Sequence, residues 1–232
     1  AAWADVARRI AHEIKNPLTP IQLSAERLRR KYSAEIISDK EIFQSCTDTI
    51  IRQVEGIGKM VDEFSSFAKM PQPQLKPIDL TEICSQIGSL EKTRFPRIEY
   101  DLNIPKGEVR LYGDRQQIGQ ALTNLLKNAA ESIDSRFSEE ADPETGGRIC
   151  LDLEVSKESV KIYITDNGVG LPSELLDRIT EPYVTTRQKG TGLGLAIAKK
   201  IMEDHNGDLI LVNNDGTGAK ATMMFNKSDF QS

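Results

Sequence analysis

The chain has 232 residues, 38% hydrophobic and 28% charged, with net charge −5 and pI near 5.3, enough for one large or two modest domains. The acidic balance argues against a nucleic-acid partner, which calls for a basic surplus. Cys46, Cys84 and Cys150 are odd in number and form no CxxC pattern, which argues against a disulfide framework or zinc site and fits a reducing compartment.

No apolar run reaches the roughly 18–20 residues that cross a bilayer, so no membrane contact by this segment is expected. The chain lacks an initiator Met and opens inside a helical pattern, as an excised fragment would. Upstream segments, membrane spans among them, are compatible with that reading.

Residues 3–31 carry Val6, Ile10, Ile14, Leu18, Ile21, Ala25 and Leu28 at three- and four-residue steps, one apolar stripe at helical period. At about 100° per residue, His12 falls opposite that stripe and faces solvent. His12-Glu13 begins an H-E-x-x-H pattern, but Asn16 stands where the second metal-binding histidine belongs. Pro17 and Pro20 remove two helical N–H donors, so the helix is expected to bend or loosen just past His12. Phe43, Cys46, Ile50, Val54, Ile57, Val61, Phe64 and Ala68 predict a second helix over about 40–69. A short link joins the two as an antiparallel hairpin. One hairpin has little core of its own, so two copies pairing into a four-helix bundle is the economical solution.

MPQPQLKP (70–77) holds three prolines and marks the domain boundary, a linker over 70–78 between a hairpin (1–69) and a second domain (79–232). Beyond it, Asp79 to Glu91 reads as a helix with Asp79 as N-cap, then strands near 97–102 and 108–112 and a helix over about 114–134. SEEADPETGG (138–147) is a polar loop. ICLDLEV and VKIYITD alternate like paired strands, a glycine-rich stretch enters a helix at about 192–206, and LILVN and AKATMMF close as strands. The class is α+β multidomain: a helical hairpin followed by an α/β two-layer sandwich.

Three segments of the second domain carry chemistry. In NLLKNAAES (124–132), Asn124 and Asn128 lie one turn apart, so both amides face one way, and an amide oxygen suits Mg²⁺ shared with phosphates. Alone, such a pair is more often a solvated face or a cap. In DNGVG (166–170), Asp166 ends a strand, and Gly168 and Gly170 let backbone approach a flat ligand; the same residues also make a good hairpin turn. In KGTGLGLAIAKK (189–200), three glycines enter a helix whose N-terminus offers free N–H groups to phosphate. The G-x-G-x-G spacing, with no strand before it, excludes a Rossmann site, and no P-loop pattern is present.

Taken in order, these segments resemble the core of two-component sensor histidine kinases. ARRIAHEIKNPLTP is similar to the H box, NLLKNAAES to the N box, DNGVG to the G1 box, EPYVTTR to the F box and GTGLGL to the G2 box. The wording around His12 is most similar to nitrogen-regulation kinases of the NtrY type. Tyr183 and Arg187 stand where Phe and Lys are frequent.

The resemblance implies a dimerisation and phosphoacceptor hairpin followed by a GHKL-type (Bergerat) ATP-binding domain. ATP and Mg²⁺ would be the ligands: Asp166 on the adenine amino group, Asn128 with Asn124 on the metal, and Gly190, Thr191, Gly192, Leu193 and Gly194 along the phosphates. Arg187 or Lys189 would offset γ-phosphate charge, on or near a mobile lid over about 171–191. His12 would be the nucleophile, Glu13 its base, and Asn16 would orient water for dephosphorylation of a regulator. The implied partners are a second copy (homodimer) and a response-regulator receiver domain, NtrX-like, for which Leu23 below His12 is a docking contact or simply an exposed leucine. The implied location is the bacterial cytoplasm, with the full-length protein anchored in the inner membrane by upstream segments.

ATP-hydrolysing relatives of this nucleotide fold (gyrase, the Hsp90 chaperones, MutL) carry a glutamate where this chain has Asn124, an amide that cannot act as a base. Transfer to His12 is therefore favoured over an ATPase clamp. A catalytically weak dimeric scaffold is the other competing reading. His205, at a helix end before Asn206-Gly207, is expected to suit the dipole as a cation and to have no catalytic role.

Overall fold

The computed structural model describes residues 2–68, 70–139, 146–185 and 190–226. By contact the chain divides into two compact units, one holding the first 71 residues and the other beginning at Gln72.

The first unit is a hairpin of α1 (Ala2–Tyr32) and α2 (Lys40–Ala68). Lys15 pairs with Asp62 and Arg29 with Asp48, so the helices run in opposite directions. Such exposed pairs contribute little, about 0–1 kcal/mol each. The seam itself buries Ala11 and Ala25 of α1 against Thr47, Ile51, Val54 and Val61 of α2. The single stripe expected on each helix thus splits into two rows. Ile10, Ile14, Ile21 and Leu28 of α1 stay 38–47% exposed, as do Ile50 and Ile57 of α2, because one neighbouring helix covers only one side of a stripe this wide. On antiparallel helices the two outward rows share one side of the hairpin. Helix α1 runs unbroken through Pro17 and Pro20, so the carbonyls of Glu13 and Asn16 lack their usual N–H partners.

The second unit runs β1 (Lys76–Asp79), α3 (Leu80–Arg94), β2 (Glu99–Asn103), β3 (Arg110–Gly113), α4 (Arg115–Glu139), β4 (Arg148–Val155), β5 (Ser159–Asp166), α5 (Gly194–Asp204), β6 (Asp208–Asn213) and β7 (Ala219–Asn226). Three residues of the expected 70–78 linker lie in a strand: β1 pairs antiparallel with β3, and Pro77 sits opposite Tyr112. A two-stranded ribbon is all edge, where a proline costs no interior ladder bond. The main sheet has the order β2-β4-β5-β7-β6, antiparallel except for the β2–β4 pair.

One face of that sheet is apolar. Ile149, Leu151 and Leu153 of β4 alternate with Cys150 and Asp152, and Val160, Ile162 and Ile164 of β5 continue the buried row. Leu122, Leu126 and Ile133 of α4, with Ile197 and Ile201 of α5, are buried in the facing helical layer. This is the expected two-layer sandwich. Burying each such side chain is worth roughly 1.5–3 kcal/mol, which places the core here.

Polar side chains fix the helix ends. Asp79 caps α3, accepting from the N–H of Thr81 at 2.9 Å and of Val109 at 3.0 Å. Asp114 caps α4, accepting from Gln116 at 3.0 Å and Gln117 at 3.2 Å. Burial pushes the Asp114 carboxyl up, but the N–H donors of Gln74, Gln117 and Gln116 outweigh it and hold the group below its usual carboxylate value. His205, at the C-cap of α5, is buried rather than cationic at the surface. Its Nε2 accepts the Asp114 N–H at 2.9 Å and its Nδ1 lies 2.7 Å from the Ile201 carbonyl. An accepting Nε2 with a donating Nδ1 is a neutral ring, so the expected dipole-stabilised cation is replaced by a tie between α4 and α5.

Candidate active site

On the hairpin, His12, Glu13 and Asn16 are all exposed. His12 lies about 170° around the helix from the centre of the outward apolar row, so its ring remains accessible when that row is covered. Glu13 follows a step of about 100° further on. Leu23 is 60% exposed. Beside it, the Thr19 hydroxyl donates to the Lys15 carbonyl at 3.3 Å and Gln22 Nε2 donates to Glu26 at 3.0 Å.

In the second unit, α4, the end of β5 and the start of α5 meet. Asn124 and Asn128 are half-buried on α4. Asn124 Nδ2 donates to the Gly194 carbonyl at 3.2 Å, binding α4 to the first turn of α5. A methyl group placed on Gly194 would lie 3.7 Å from Asn128 Nδ2 and 3.9 Å from its Oδ1, so that amide faces the same turn. Asp166 is 8% exposed. Its Oδ1 accepts the N–H groups of Gly168 at 2.9 Å and Ala219 at 3.3 Å, while Asn214 Nδ2 holds its carbonyl at 2.9 Å. The carboxylate is thereby oriented from behind by backbone.

Two glycines also meet steric demands set by the protein itself. A side chain at Gly168 would meet Ser132 Oγ at 2.4 Å, Ser132 C at 2.6 Å and Ile133 N at 2.8 Å. The turn after β5 thus lies directly on α4. Gly192, at φ +69°, would strike the backbone of Tyr183 at 2.7 Å, and its carbonyl accepts the Tyr183 N–H at 3.1 Å. Tyr183 itself adopts φ +68°, uncommon for a residue with a side chain. The F-box departure from Phe therefore sits on a backbone contact between the F and G2 boxes.

The structure brings Asn124, Asn128, Asp166, Gly168, Gly170, Gly192, Leu193 and Gly194 into this one unit. Gly190 and Thr191 group by contact with the first unit. Arg187 and Lys189, expected on the γ-phosphate, lie outside the described residues, as does part of the 171–191 lid. The start of that lid is fixed: Asn213 Oδ1 accepts the Leu171 N–H at 2.7 Å and its Nδ2 donates to the Leu171 carbonyl at 2.9 Å. Asn167 ties the G1 turn to the β4 start, accepting the Arg148 N–H and donating to the Gly146 carbonyl, both at 2.8 Å. Sequence reasoning missed Asn167, Asn213 and Asn214, for which asparagine beside a turn is the only local signal.

The arrangement supplies a buried, backbone-held carboxylate, a helix N-terminus and an amide pair, which together suit a nucleotide. Residues 113–229 match the family of histidine kinase-, DNA gyrase B- and HSP90-like ATPases, and residues 2–73 match the His Kinase A (phospho-acceptor) domain. The chain is a member of the histidine kinase family. This kinase core is 55% identical over 211 residues to the nitrogen regulation protein NtrY of Azorhizobium caulinodans, covering 91% of the chain and 27% of that protein. It is 41% identical to a putative NtrY-like sensor histidine kinase of Rickettsia typhi, covering 97% and 36%. The chain thus spans about a quarter to a third of the length of these two relatives. Among solved structures it resembles histidine kinase ThkA in complex with the response regulator protein TrrA, with TM-score 0.65 and 25% identity over 96% of the chain and 61% of ThkA. The expected NtrY-type resemblance is borne out. No helix among the described residues of this kinase core is long and apolar enough to cross a membrane.

Proposed function

We propose that the chain is the catalytic core of a sensor kinase that moves the γ-phosphoryl group of ATP onto His12 and then onto the receiver-domain aspartate of an NtrX-like response regulator. The observation that carries this reading is the division of labour within one chain. An accessible histidine stands on a helical hairpin, and a buried Asp166 lies in one compact unit with the amides of Asn124 and Asn128.

The donor set fits Mg²⁺ shared with phosphates. Asn128 offers a hard amide oxygen, and no cluster of three His, Cys, Asp or Glu among the described residues competes for a metal. When bound, the ion offsets phosphate charge. Asp166 accepts from the adenine amino group, and the α5 N-terminus with Gly192 and Gly194 donates backbone N–H groups to phosphate. A lone pair on one His12 ring nitrogen attacks the γ-phosphorus, and the bond to the ADP oxygen breaks, that oxygen keeping the electron pair. Glu13 takes the proton from the other ring nitrogen, leaving a neutral phosphoimidazole. Asn124, an amide already bonded to Gly194, supplies no base for water. Asn16, one turn after His12, orients water in the opposing activity, hydrolysis of the regulator's aspartyl phosphate to free phosphate and aspartate.

A second copy is called for by the outward row of Ile10, Ile14, Ile21, Leu28, Ile50 and Ile57, which a homodimeric four-helix bundle covers. The full-length protein acts in the bacterial cytoplasm from an inner-membrane anchor outside this segment. Incubation with γ-labelled ATP and Mg²⁺ tests the reading. Label that is lost in acid, kept in alkali and absent from His12→Ala supports it, and label retained in that variant overturns it.

A further inference from the structure

The end of β6 and the loop after it (213–218) grip both ends of the turn that follows β5. At the near end, Asn214 Nδ2 donates to the Asp166 carbonyl at 2.9 Å and to the Ala219 carbonyl at 3.3 Å. The Ala219 N–H in turn donates to Asp166 Oδ1 at 3.3 Å, so one side-chain amide ties Asp166 to the residue that grips its carboxylate. At the far end, the Asn213 amide meets both the N–H and the carbonyl of Leu171, as a neighbouring strand would. Two glycines allow this close approach. A side chain on Gly218, at φ +87°, would fall 1.9 Å from the Asp166 carbonyl oxygen, and one on Gly170, at φ +78°, would fall 2.9 Å from Asn213 Oδ1. Helix α4 holds the middle of the turn: Arg136 Nη1 donates to the Asn167 carbonyl at 2.8 Å, and the Val169 N–H points to the Ser132 carbonyl at 3.4 Å.

We infer that Asn214 is a positioning residue for base recognition, with Asn213 as its counterpart at the far end of the turn. Together they keep the Asp166 carboxylate where it meets the exocyclic amine of adenine. This rests on the nucleotide reading of the site. Neither asparagine meets the base; each acts through the peptide groups of the segment that carries Asp166. A carboxylate that recognises one amine must be aimed, because a hydrogen bond weakens steeply once its angle falls below about 120°. With α4 holding the middle of the turn, loss of either end lets the Asp166 end swing about that hold. The Ala219 bond to Oδ1, already long at 3.3 Å, is the first to break.

The test is calorimetric binding of ADP and of purine riboside 5′-diphosphate, which is ADP without the 6-amino group, to the 232-residue chain, Asn214→Ala and Asn213→Ala. The wild type should bind the deamino analogue at least about tenfold more weakly than ADP. Asn214→Ala should lose about 3–10-fold for ADP and less than about twofold for the analogue, so the gap between the two ligands narrows. Asn213→Ala, at an exposed position, should narrow the gap in the same direction, and it carries the test if Asn214→Ala melts below the assay temperature. Equal losses for both ligands would make the asparagines supports of the fold alone and overturn the inference, as would unchanged ADP affinity in both variants. A wild type that binds ADP and the analogue equally would instead strike the contact between Asp166 and the amine. A wild type that binds neither would strike the nucleotide reading itself.

Discussion

Gly168→Ala isolates the contact between the G1 turn and the N-box helix. The φ of Gly168 lies outside the left-handed region, so alanine adds no backbone strain, only a methyl group. That methyl falls 2.4 Å from Ser132 Oγ, which can swing aside, but also 2.6 Å from Ser132 C and 2.8 Å from Ile133 N, which belong to a buried helix. Overpacking of this kind costs about 1–3 kcal/mol. For a unit of this size, each kcal/mol lowers the melting temperature by about 2–4 °C, giving an expected fall of about 2–12 °C. A displaced turn also carries the Gly168 N–H off Asp166 Oδ1, now 2.9 Å away, so nucleotide affinity should drop at least about tenfold. Thermal melting and ADP calorimetry read the two effects. The double variant Ser132→Ala with Gly168→Ala should recover little, because the backbone contacts remain. A Gly168→Ala protein with wild-type melting and wild-type affinity would refute the packing argument.

Three further outcomes follow from the same geometry. Asn124→Asp keeps an oxygen near Mg²⁺ but loses the donor to the Gly194 carbonyl, so nucleotide affinity should fall about 3–10-fold by calorimetry; undiminished affinity would return Asn124 to direct metal binding. Ile14→Glu with Ile57→Glu charges the outward row of the hairpin and should convert the proposed dimer to monomer in light scattering, while the second unit keeps its ADP affinity. The depressed pKa of Asp114 is a folded-state effect, so its stabilisation is present above the unfolded value near 3.8 and is lost as pH falls below that. Asp114→Asn should therefore show a shallower loss of melting temperature than wild type between pH 5 and pH 2 (roughly the carboxylate range), and parallel curves would contradict the assignment.

Most of the architecture was legible because its signals are local. Period 3.6 marks the two hairpin helices, Asp79 announces a cap, and alternation marks β4 and β5. The site motifs were legible as a set, since asparagines one turn apart, a strand-end aspartate and a glycine-rich helix start gain meaning from their order. What escaped depends on residues distant in sequence. Lys76–Asp79 became a strand because β3 lies beside it, which no window containing Pro77 reveals. Gly168 answers to Ser132, 36 positions earlier, and His205 to Asp114, so neither role could be read from neighbours in the chain. The outward row on the hairpin differs from the seam row only in which partner covers it, and periodicity does not distinguish the two.

The γ-phosphoryl group of ATP is expected to move to His12. Trypsin cleaves after Arg9 and Lys15, releasing the peptide IAHEIK (residues 10–15), while His205 lies in a separate peptide over residues 201–220. After incubation with Mg-ATP and digestion at alkaline pH, mass spectrometry should place one phosphoryl group on the histidine of IAHEIK and none on His205. Phosphate found elsewhere, or released to solvent with IAHEIK unmodified, would contradict the account.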